Sequence, residues 1–347
     1  MPDFAIELSV VIVHYRCAEA IARCLESLAA FPPEAPWEVL ITDNSAGTSH
    51  ALERHGIEGA FSASPAPPLK VEILAAERNV GFAAGVNLAI GEARGRFLLL
   101  LNPDLVVREH TIDYLLRFAR ERGDGLGAVG PRLLYPDGTL QPSRGTFPTL
   151  RSTLMHLSGV RRLLPLDRLL AGRGGVFGAT LGRYWAQLAP LPAAPECVDY
   201  TTGAALLVPA AVIDRIGALD SGFFLFYEEI DWAKRMDEAG LARFFHPGAV
   251  AIHTVGESSG ATDEDRARVA IERLRSMLRY FAKHSPALLP LVRAVVAATA
   301  LGRLAAAAAR RDRLAIGDGW KLVRESTRWR HIRARNRAAE DDRAASR

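Results

Sequence analysis

The chain has 347 residues, 49% hydrophobic and 24% charged, which excludes a disordered or fibrous protein and supplies ample material for one large or two modest cores. Its three cysteines, Cys17, Cys24 and Cys197, form neither a disulfide framework nor a metal-site spacing. The net charge of +4 is uneven: Arg303 to Arg347 hold thirteen Lys and Arg against six Asp and Glu, a local +7 that leaves the first 302 residues at −3.

Leu8 to His14 is a continuous run rich in β-branched residues and reads as a first buried strand. The next segment, Ala18 to Ala30, carries Ile21, Leu25 and Leu28 at helical spacing and stops before Pro32-Pro33. Cys17 and Cys24 belong with it as small buried hydrophobes. Residues 38–42 predict a second strand ending in Asp43-Asn-Ser, and 71–74 a third. Asn79 to Asn87 is a glycine-bearing turn that enters a helix over 83–93. Phe97 to Leu101, five consecutive apolar residues, predicts a strand buried on both faces. This alternation argues for an α/β fold with a parallel sheet and right-handed crossovers.

Residues 109–122 predict another helix and 126–129 a short strand. The stretch 131–195 is rich in Pro, Gly and Arg, and its length favours a functional segment over a plain connector. Regular structure is expected again at 197–200, at 204–208 and in a helix from Pro209. A further helix follows Phe223-Phe-Leu-Phe-Tyr-Glu-Glu-Ile-Asp231 and stops at Gly240. Phe244 and residues 250–252 suggest two short strands, the second ending at His253, and everything from Asp263 onward reads as helical.

The strand at Phe97 stops at Asn102-Pro103, where proline fixes φ and cannot donate to a ladder. Asp104 is thus delivered at the carboxyl tip, the end at which open α/β sheets bind ligands. Asp43, Asn79, Glu228, Glu229, Asp231 and His253 also fall at strand ends or helix starts. Asp104 and His253 could together hold a divalent cation, since carboxylate suits Mg²⁺ or Mn²⁺ and imidazole suits Mn²⁺ better. Glu228-Glu229-x-Asp231, following aromatic residues, can keep a carboxylate partly desolvated and near like charge, which raises its pKa and suits a general base. Each group also has a plainer use: Asn-Pro-Asp as a turn, a strand-end His as a satisfied polar group, Glu-Glu-x-Asp as a complement to the helix dipole. The Gly81/Gly85 turn lacks G-x-G-x-x-G spacing, which argues against a dinucleotide fingerprint.

Taken in order, Ser9-Val-Val-Ile-Val-His-Tyr15, Thr42-Asp-Asn-Ser45, Asn79-Val-Gly-Phe-Ala-Ala-Gly-Val-Asn87 and Leu98-Leu-Leu-Leu-Asn-Pro-Asp104 form a specific set. They continue with Gly130-Pro-Arg-Leu-Leu-Tyr-Pro-Asp-Gly-Thr-Leu-Gln141, Thr202-Gly-Ala-Ala205, the 223–231 run and Pro247-Gly-Ala-Val-Ala-Ile-His253. The whole resembles the inverting glycosyltransferases of family 2, and within them the rhamnosyltransferase-like branch, over roughly residues 8–285. That resemblance implies a GT-A fold for 1–262, with a nucleotide-sugar half at 1–130 and an acceptor and catalytic half at 131–262, followed by a basic helical extension at 263–347.

The resemblance also implies roles. Asp43 would accept a hydrogen bond from the pyrimidine imide N–H of the donor, with Tyr15, Asn79 and Gly81 lining the nucleotide pocket. Asn102-Pro-Asp104 stands where the family's metal-binding Asp-x-Asp lies, so Asp104 would bind Mg²⁺ or Mn²⁺ on the diphosphate, with His253 as second ligand. Glu229 matches the catalytic carboxylate, with Glu228 beside it and Asp231 one turn into the helix. Two departures stand out: Asn102 replaces the first carboxylate of Asp-x-Asp, and Glu-Glu replaces the commoner Glu-Asp, leaving open which of the two reaches the acceptor. The donor implied first is dTDP-rhamnose and next a UDP-sugar. The acceptor implied is a saccharide or polyprenyl-linked saccharide of cell-wall or surface polysaccharide synthesis.

Met1-Pro-Asp-Phe4 lacks a basic leader segment, and Leu8–His14 is too short to span a membrane, so a cytoplasmic location is expected. Pro286 to Ala309 is apolar but interrupted by Arg293 and Arg303, which favours a surface-lying or core-packed helix over a spanning one. With the basic residues behind it, this helix suits the anionic cytosolic face of a membrane or the interface of a homodimer. The rival class is a nucleic-acid-binding protein, on the strength of the tail; the net-acidic first 302 residues and the lack of a recognised motif argue against nucleic acid as a partner. A sugar-nucleotide-binding scaffold without transfer activity is the other alternative, made conceivable by Asn102.

Overall fold

A computed structural model of the chain describes residues 5–45, 47, 52, 57, 59–157, 191–254 and 263–309. The first part alternates as its hydrophobic runs dictate: β1 (Leu8–His14), α1 (Ala18–Ala30), β2 (Trp37–Asp43), β3 (Lys70–Ala75), α2 (Phe82–Glu92) and β4 (Phe97–Leu101). Every residue of β1, β2 and β4 is buried, as expected of strands covered on both faces. Then follow β5 (Leu105–Val107), α3 (Thr111–Arg122), β6 (Leu126–Leu134), β7 (Leu140–Gln141), β8 (Arg144–Gly145) and α4 (Leu150–Leu157). The remainder comprises β9 (Glu196–Cys197), β10 (Tyr200–Thr201), β11 (Ala205–Pro209), α5 (Ala211–Ile216), α6 (Glu228–Glu238), β12 (Ala242–His253), α7 (Asp263–His284) and α8 (Leu289–Ala309).

The described residues fall into two compact units. One takes in the described parts of Met1–Thr146, Ala186–Asp220 and Glu228–Ala261, and the other those of Phe147–Trp185, Ser221–Tyr227 and Thr262–Arg347. The first unit is built on a ten-stranded sheet of order β3-β2-β1-β4-β11-β6-β12-β5, with β7 on β6 and β9 on β12. Strands β3, β2, β1, β4, β6 and β12 run one way, and β11 is antiparallel to both β4 and β6. This is the mostly parallel α/β sheet expected from the alternation of the chain. Helix α2 sits close on β1 because Gly85 has no side chain: a Cβ there would lie 3.0 Å from Val13 Cγ1, and Thr42 Oγ1 donates to the Gly85 carbonyl at 2.7 Å.

Several elements differ from expectation. β12 is one twelve-residue strand where two short ones were expected, because a register shift between His246 and Val250 absorbs Pro247-Gly248 without ending the pairing with β6. That continued pairing also carries β6 to Leu134, past the expected end at Val129. β5 had not been expected at all; three residues carry no pattern of their own, and β5 exists through its antiparallel pairing with β12. The expected strand 197–200 is split between β9 and β10, the helix expected from Pro209 starts at Ala211, and α6 begins at Glu228, ahead of Asp231. Residues 158–190 and 310–347 lie outside the described residues, so the expectations for most of the 131–195 stretch and for the basic tail are not addressed by the structure.

In the second unit, α8 buries Leu289, Val292, Val296, Ala300 and Leu304, while Leu291 and Leu301 on its other side are about half exposed. Among the described residues no helix is long and apolar enough to cross a membrane.

Candidate active site

The site forms where β4 and β12 end and β11 begins. Asn102 N–H donates to the Ala204 carbonyl at 2.8 Å, and Leu105 N–H returns to the Asn102 carbonyl at 3.3 Å, closing the Asn-Pro-Asp turn. The β5–β12 pairing sets Leu105 opposite His253. Asp104, 3% exposed, thereby meets the imidazole, with Oδ1 3.1 Å from Nε2. Gln141 Oε1 lies 2.9 Å from His253 Nδ1, and Asn102 Nδ2 lies 3.4 Å from Nε2. With Gln141 Oε1 accepting an Nδ1–H, Nε2 would be left to face Asp104 Oδ1, an imidazole nitrogen beside a carboxylate oxygen. Behind the turn, burial first and the Asp104 carboxylate second push the Cys24 thiol far up, so it remains an inert filler.

The residues expected to line a nucleotide pocket gather at the ends of β1 and β2. Asp43, 2% exposed, accepts the Ser45 N–H at 2.8 Å and the Leu52 N–H at 2.9 Å, one on each carboxylate oxygen. A pyrimidine N–H would therefore use a second lone pair of an oxygen already engaged. Asn44 Nδ2 donates to the Gly81 carbonyl at 3.1 Å, and Asn79 Oδ1 accepts the Gly81 N–H at 3.0 Å, so both side chains pin the entry to α2. Gly81 sits at φ 90°, a conformation that glycine adopts at little cost. Tyr15 is half-buried, with the Arg16 guanidinium 5.2 Å from its ring centroid.

The acidic run lies in the first turn of α6. Phe226 and Tyr227 lead into it at φ 66° and 68°, left-handed conformations that cost non-glycine residues roughly 1–3 kcal/mol each and gather at functional sites. Glu228 is 5% exposed and its Oε2 has no hydrogen-bond partner; burial, and then the Glu229 charge, hold its pKa well above the usual carboxylate range. The Glu229 side chain passes over Gly203, where a Cβ would lie 3.4 Å from Glu229 Cβ, with the Phe82 ring at 3.9 Å. Since Ala204 holds Asn102, the Thr202–Ala205 stretch links Glu229 to the Asp104–His253 pair. Asp231 is engaged differently: it is fully buried and accepts Arg235 Nε at 3.0 Å, while the same guanidinium donates to the Ile216 and Ala218 carbonyls. Breaking a buried pair leaves an uncompensated charge. Asp231→Ala is therefore expected to lower unfolding stability by about 3–5 kcal/mol, read by chemical denaturation.

The structure thus brings Asn102, Asp104 and His253 together, adds Gln141, and sets Glu229 beside Gly203, the neighbour of the Ala204 that holds Asn102. Gln141, Asn44 and Gly203 had not been singled out as individual residues, although all three lie within or at the edge of quoted stretches. Among the described residues no cluster of three or more His, Cys, Asp or Glu suited to a metal occurs.

The sheet and the position of this site define a GT-A glycosyltransferase fold. The same fold is seen in the crystal structure of GalNAc-T7 with UDP, GalNAc and Mn²⁺, at a TM-score of 0.51 and 14% identity over 80% of this chain and 48% of that one. Residues 9–177 match the model of Glycosyl transferase family 2. A relative from Mycobacterium tuberculosis, N-acetylglucosaminyl-diphospho-decaprenol L-rhamnosyltransferase, is 27% identical over 272 residues, 73% of this chain and 78% of its own length. The low-salt glycan biosynthesis hexosyltransferase Agl10 of Haloferax volcanii is 24% identical over 66% of this chain and 61% of its own.

Proposed function

We propose that the chain is an inverting, metal-dependent glycosyltransferase that moves L-rhamnose from dTDP-L-rhamnose to a hydroxyl of a lipid-linked saccharide in the synthesis of a cell-wall or surface polysaccharide. The observation that carries this reading is the facing Asp104 Oδ1 and His253 Nε2, 3.1 Å apart at the carboxyl ends of the sheet. The name of the mycobacterial relative supports the choice of rhamnose and of a diphospho-polyprenol-linked GlcNAc as acceptor.

Residues 1–130 would hold the nucleotide and 131–262 the acceptor. The oxygen-and-imidazole donor set of Asp104 and His253 fits Mn²⁺ or Mg²⁺, the former better, and GalNAc-T7 was solved with Mn²⁺. When bound, such an ion stabilises the negative charge that gathers on a departing diphosphate. Gln141 would fix the imidazole so that Nε2 is available to an ion held with Asp104, and Asn102 would contribute a neutral amide where a second carboxylate would add charge. Glu229 takes the proton from the acceptor hydroxyl. The oxygen bonds to the anomeric carbon on the face opposite the diphosphate, whose C–O bond breaks with its electron pair leaving on the nucleotide. Attack from the opposite face inverts the centre.

A donor panel tests this reading. dTDP-rhamnose with Mn²⁺ should raise Tm more than UDP-sugars do, because a ligand that binds only the folded state stabilises it by mass action. Equal, negligible shifts for every sugar nucleotide would overturn it.

The lipid-linked acceptor would place the enzyme at the cytosolic face of a membrane. The outward side of α8 presents Leu291 and Leu301, with Leu288 exposed in the turn before it, and each basic residue near an anionic leaflet adds about 1 kcal/mol of attraction. The full chain should float with anionic vesicles at low salt and detach as salt rises. Deletion of residues 286–347 should abolish flotation. A full chain that stays in solution at low salt would instead assign the tail to packing or to a second copy.

A further inference from the structure

Within the first unit, two buried hydrogen-bond donors on one face of β6 have no acceptor. Arg132 is half-buried in β6, opposite Val250 of β12, and its Nε is shielded from solvent without a hydrogen-bond partner among the described residues. Thr201, 4% exposed, has a hydroxyl in the same condition. Gly130 brings the two near each other: a Cβ there would fall 2.5 Å from Thr201 Oγ1, so the hydroxyl lies directly on bare backbone. Arg132 follows two residues later on the same face, roughly 7 Å further along the strand. A guanidinium can only donate, and a threonine hydroxyl can donate as well as accept. Leaving buried donors unmade is costly, most of all for a charged one. What these two lack in common is an anion rich in acceptor oxygens.

The register of β6 favours one source for that anion. Leu133 is opposite Gln141, the residue that meets His253, and belongs to the core cluster that includes Leu115 of α3. Arg132 lies on the opposite face. Ala128, four residues earlier on that face, shares a second cluster with Trp232 and Met236 of α6, the helix whose first turn holds Glu228 and Glu229. Arg132 therefore shares a face of the sheet with the proposed base, while Gln141 serves the Asp104–His253 pair from the other. We propose that Arg132 and Thr201 bind the diphosphate of the acceptor, and so select acceptors whose sugar is attached through phosphate. The planar fork of an arginine matches phosphate oxygens, and the Thr201 hydroxyl adds a second donor. The proposal rests on the reading of the chain as a transferase with a diphosphate-linked acceptor, and names the residues that recognise it.

The test gives the full chain, with dTDP-rhamnose and Mn²⁺, two acceptors: N-acetylglucosaminyl-diphospho-farnesol and octyl N-acetylglucosaminide, which has no phosphate. In Arg132→Ala, KM for the diphosphate acceptor should rise roughly 10–100-fold, the scale of a charge-assisted hydrogen bond. Thr201→Val should raise it about 5-fold. Arg132→Lys should fall between wild type and Arg132→Ala, since an ammonium keeps the charge and loses the fork. The rise should be confined to the acceptor that carries diphosphate, and KM for dTDP-rhamnose should hold. A rise in donor KM instead would assign Arg132 to the diphosphate of the donor. Equal changes for both acceptors, or none, would make it a packing residue. Each of these results overturns the proposal. If Arg132→Ala does not fold, Arg132→Lys and Thr201→Val decide by the same readings. Calorimetric titration of N-acetylglucosaminyl-diphospho-farnesol without donor repeats the comparison without turnover and separates the two claims. A wild type that transfers nothing but binds this compound, with binding lost in Arg132→Ala, means that the transfer reading has failed and the diphosphate site stands. Transfer by the wild type with an unchanged acceptor KM in Arg132→Ala overturns the site alone, and a wild type that neither binds nor transfers overturns both.

Discussion

Glu229→Gln is expected to lower kcat by about 10²–10⁴-fold, the usual contribution of a positioned base, while donor affinity stays nearly unchanged. The change is close to isosteric and removes only the ability to accept a proton. Glu228→Gln should be mild by comparison. A base must be ionised to act, and Glu228 is the carboxyl whose burial and neighbouring charge favour the neutral form. An amide imitates that neutral form. The same shift has a stability consequence of definite sign. A carboxyl whose folded pKa is raised favours folding below its ordinary range, and that contribution is lost as pH rises through the folded pKa. Glu228→Gln should therefore flatten the fall of stability with rising pH, which denaturation curves across pH would reveal. A severe turnover loss in Glu228→Gln with a mild one in Glu229→Gln would move the base by one residue.

Asp104→Ala should remove most of the divalent-dependent stabilisation by sugar nucleotide, and His253→Ala should do so less. Asp104 brings the only carboxylate of the turn, since its partner position is Asn102, so its loss leaves the ion with imidazole and the donor's own oxygens. The His253 loss leaves the charge in place. Thermal shifts with Mn²⁺, with Mg²⁺ and with EDTA check both, and equal donor binding with and without EDTA would remove the metal from the account. Gln141→Ala tests the network one step out. It frees the imidazole to turn, and outer partners of metal-binding histidines typically contribute 10–100-fold in metal affinity.

The parts of this site that could be read before the structure were those written in strong local patterns. Phe97–Leu101 followed by Asn-Pro-Asp announced a buried strand ending in a carboxylate, and His253 at the end of an apolar run announced a second group at a strand tip. Their meeting across 149 residues depends on β5, which is too short to announce itself. Gln141 was hidden for a related reason: a neutral amide in a two-residue strand has no periodicity or charge to mark it, and its contact with His253 spans 112 residues. Asp231 shows the limit of spacing as a guide. In the first turn of a helix, a residue held by Arg235 four positions on reads the same as one aimed at a substrate. The long β12 was masked by Pro247-Gly248, which ordinarily ends a strand and here is taken up in a bulge.

The most direct test of the account is acceptor-dependent release of nucleoside diphosphate by the full chain with Mn²⁺, dTDP-rhamnose and N-acetylglucosaminyl-diphospho-polyprenol, followed by NMR of the product's anomeric centre. The account predicts dTDP release only when the acceptor is present, a product heavier by one rhamnosyl group, and an anomeric configuration inverted from that of the donor. Transfer with retained configuration, or no acceptor-dependent release from any dTDP- or UDP-sugar, would contradict it.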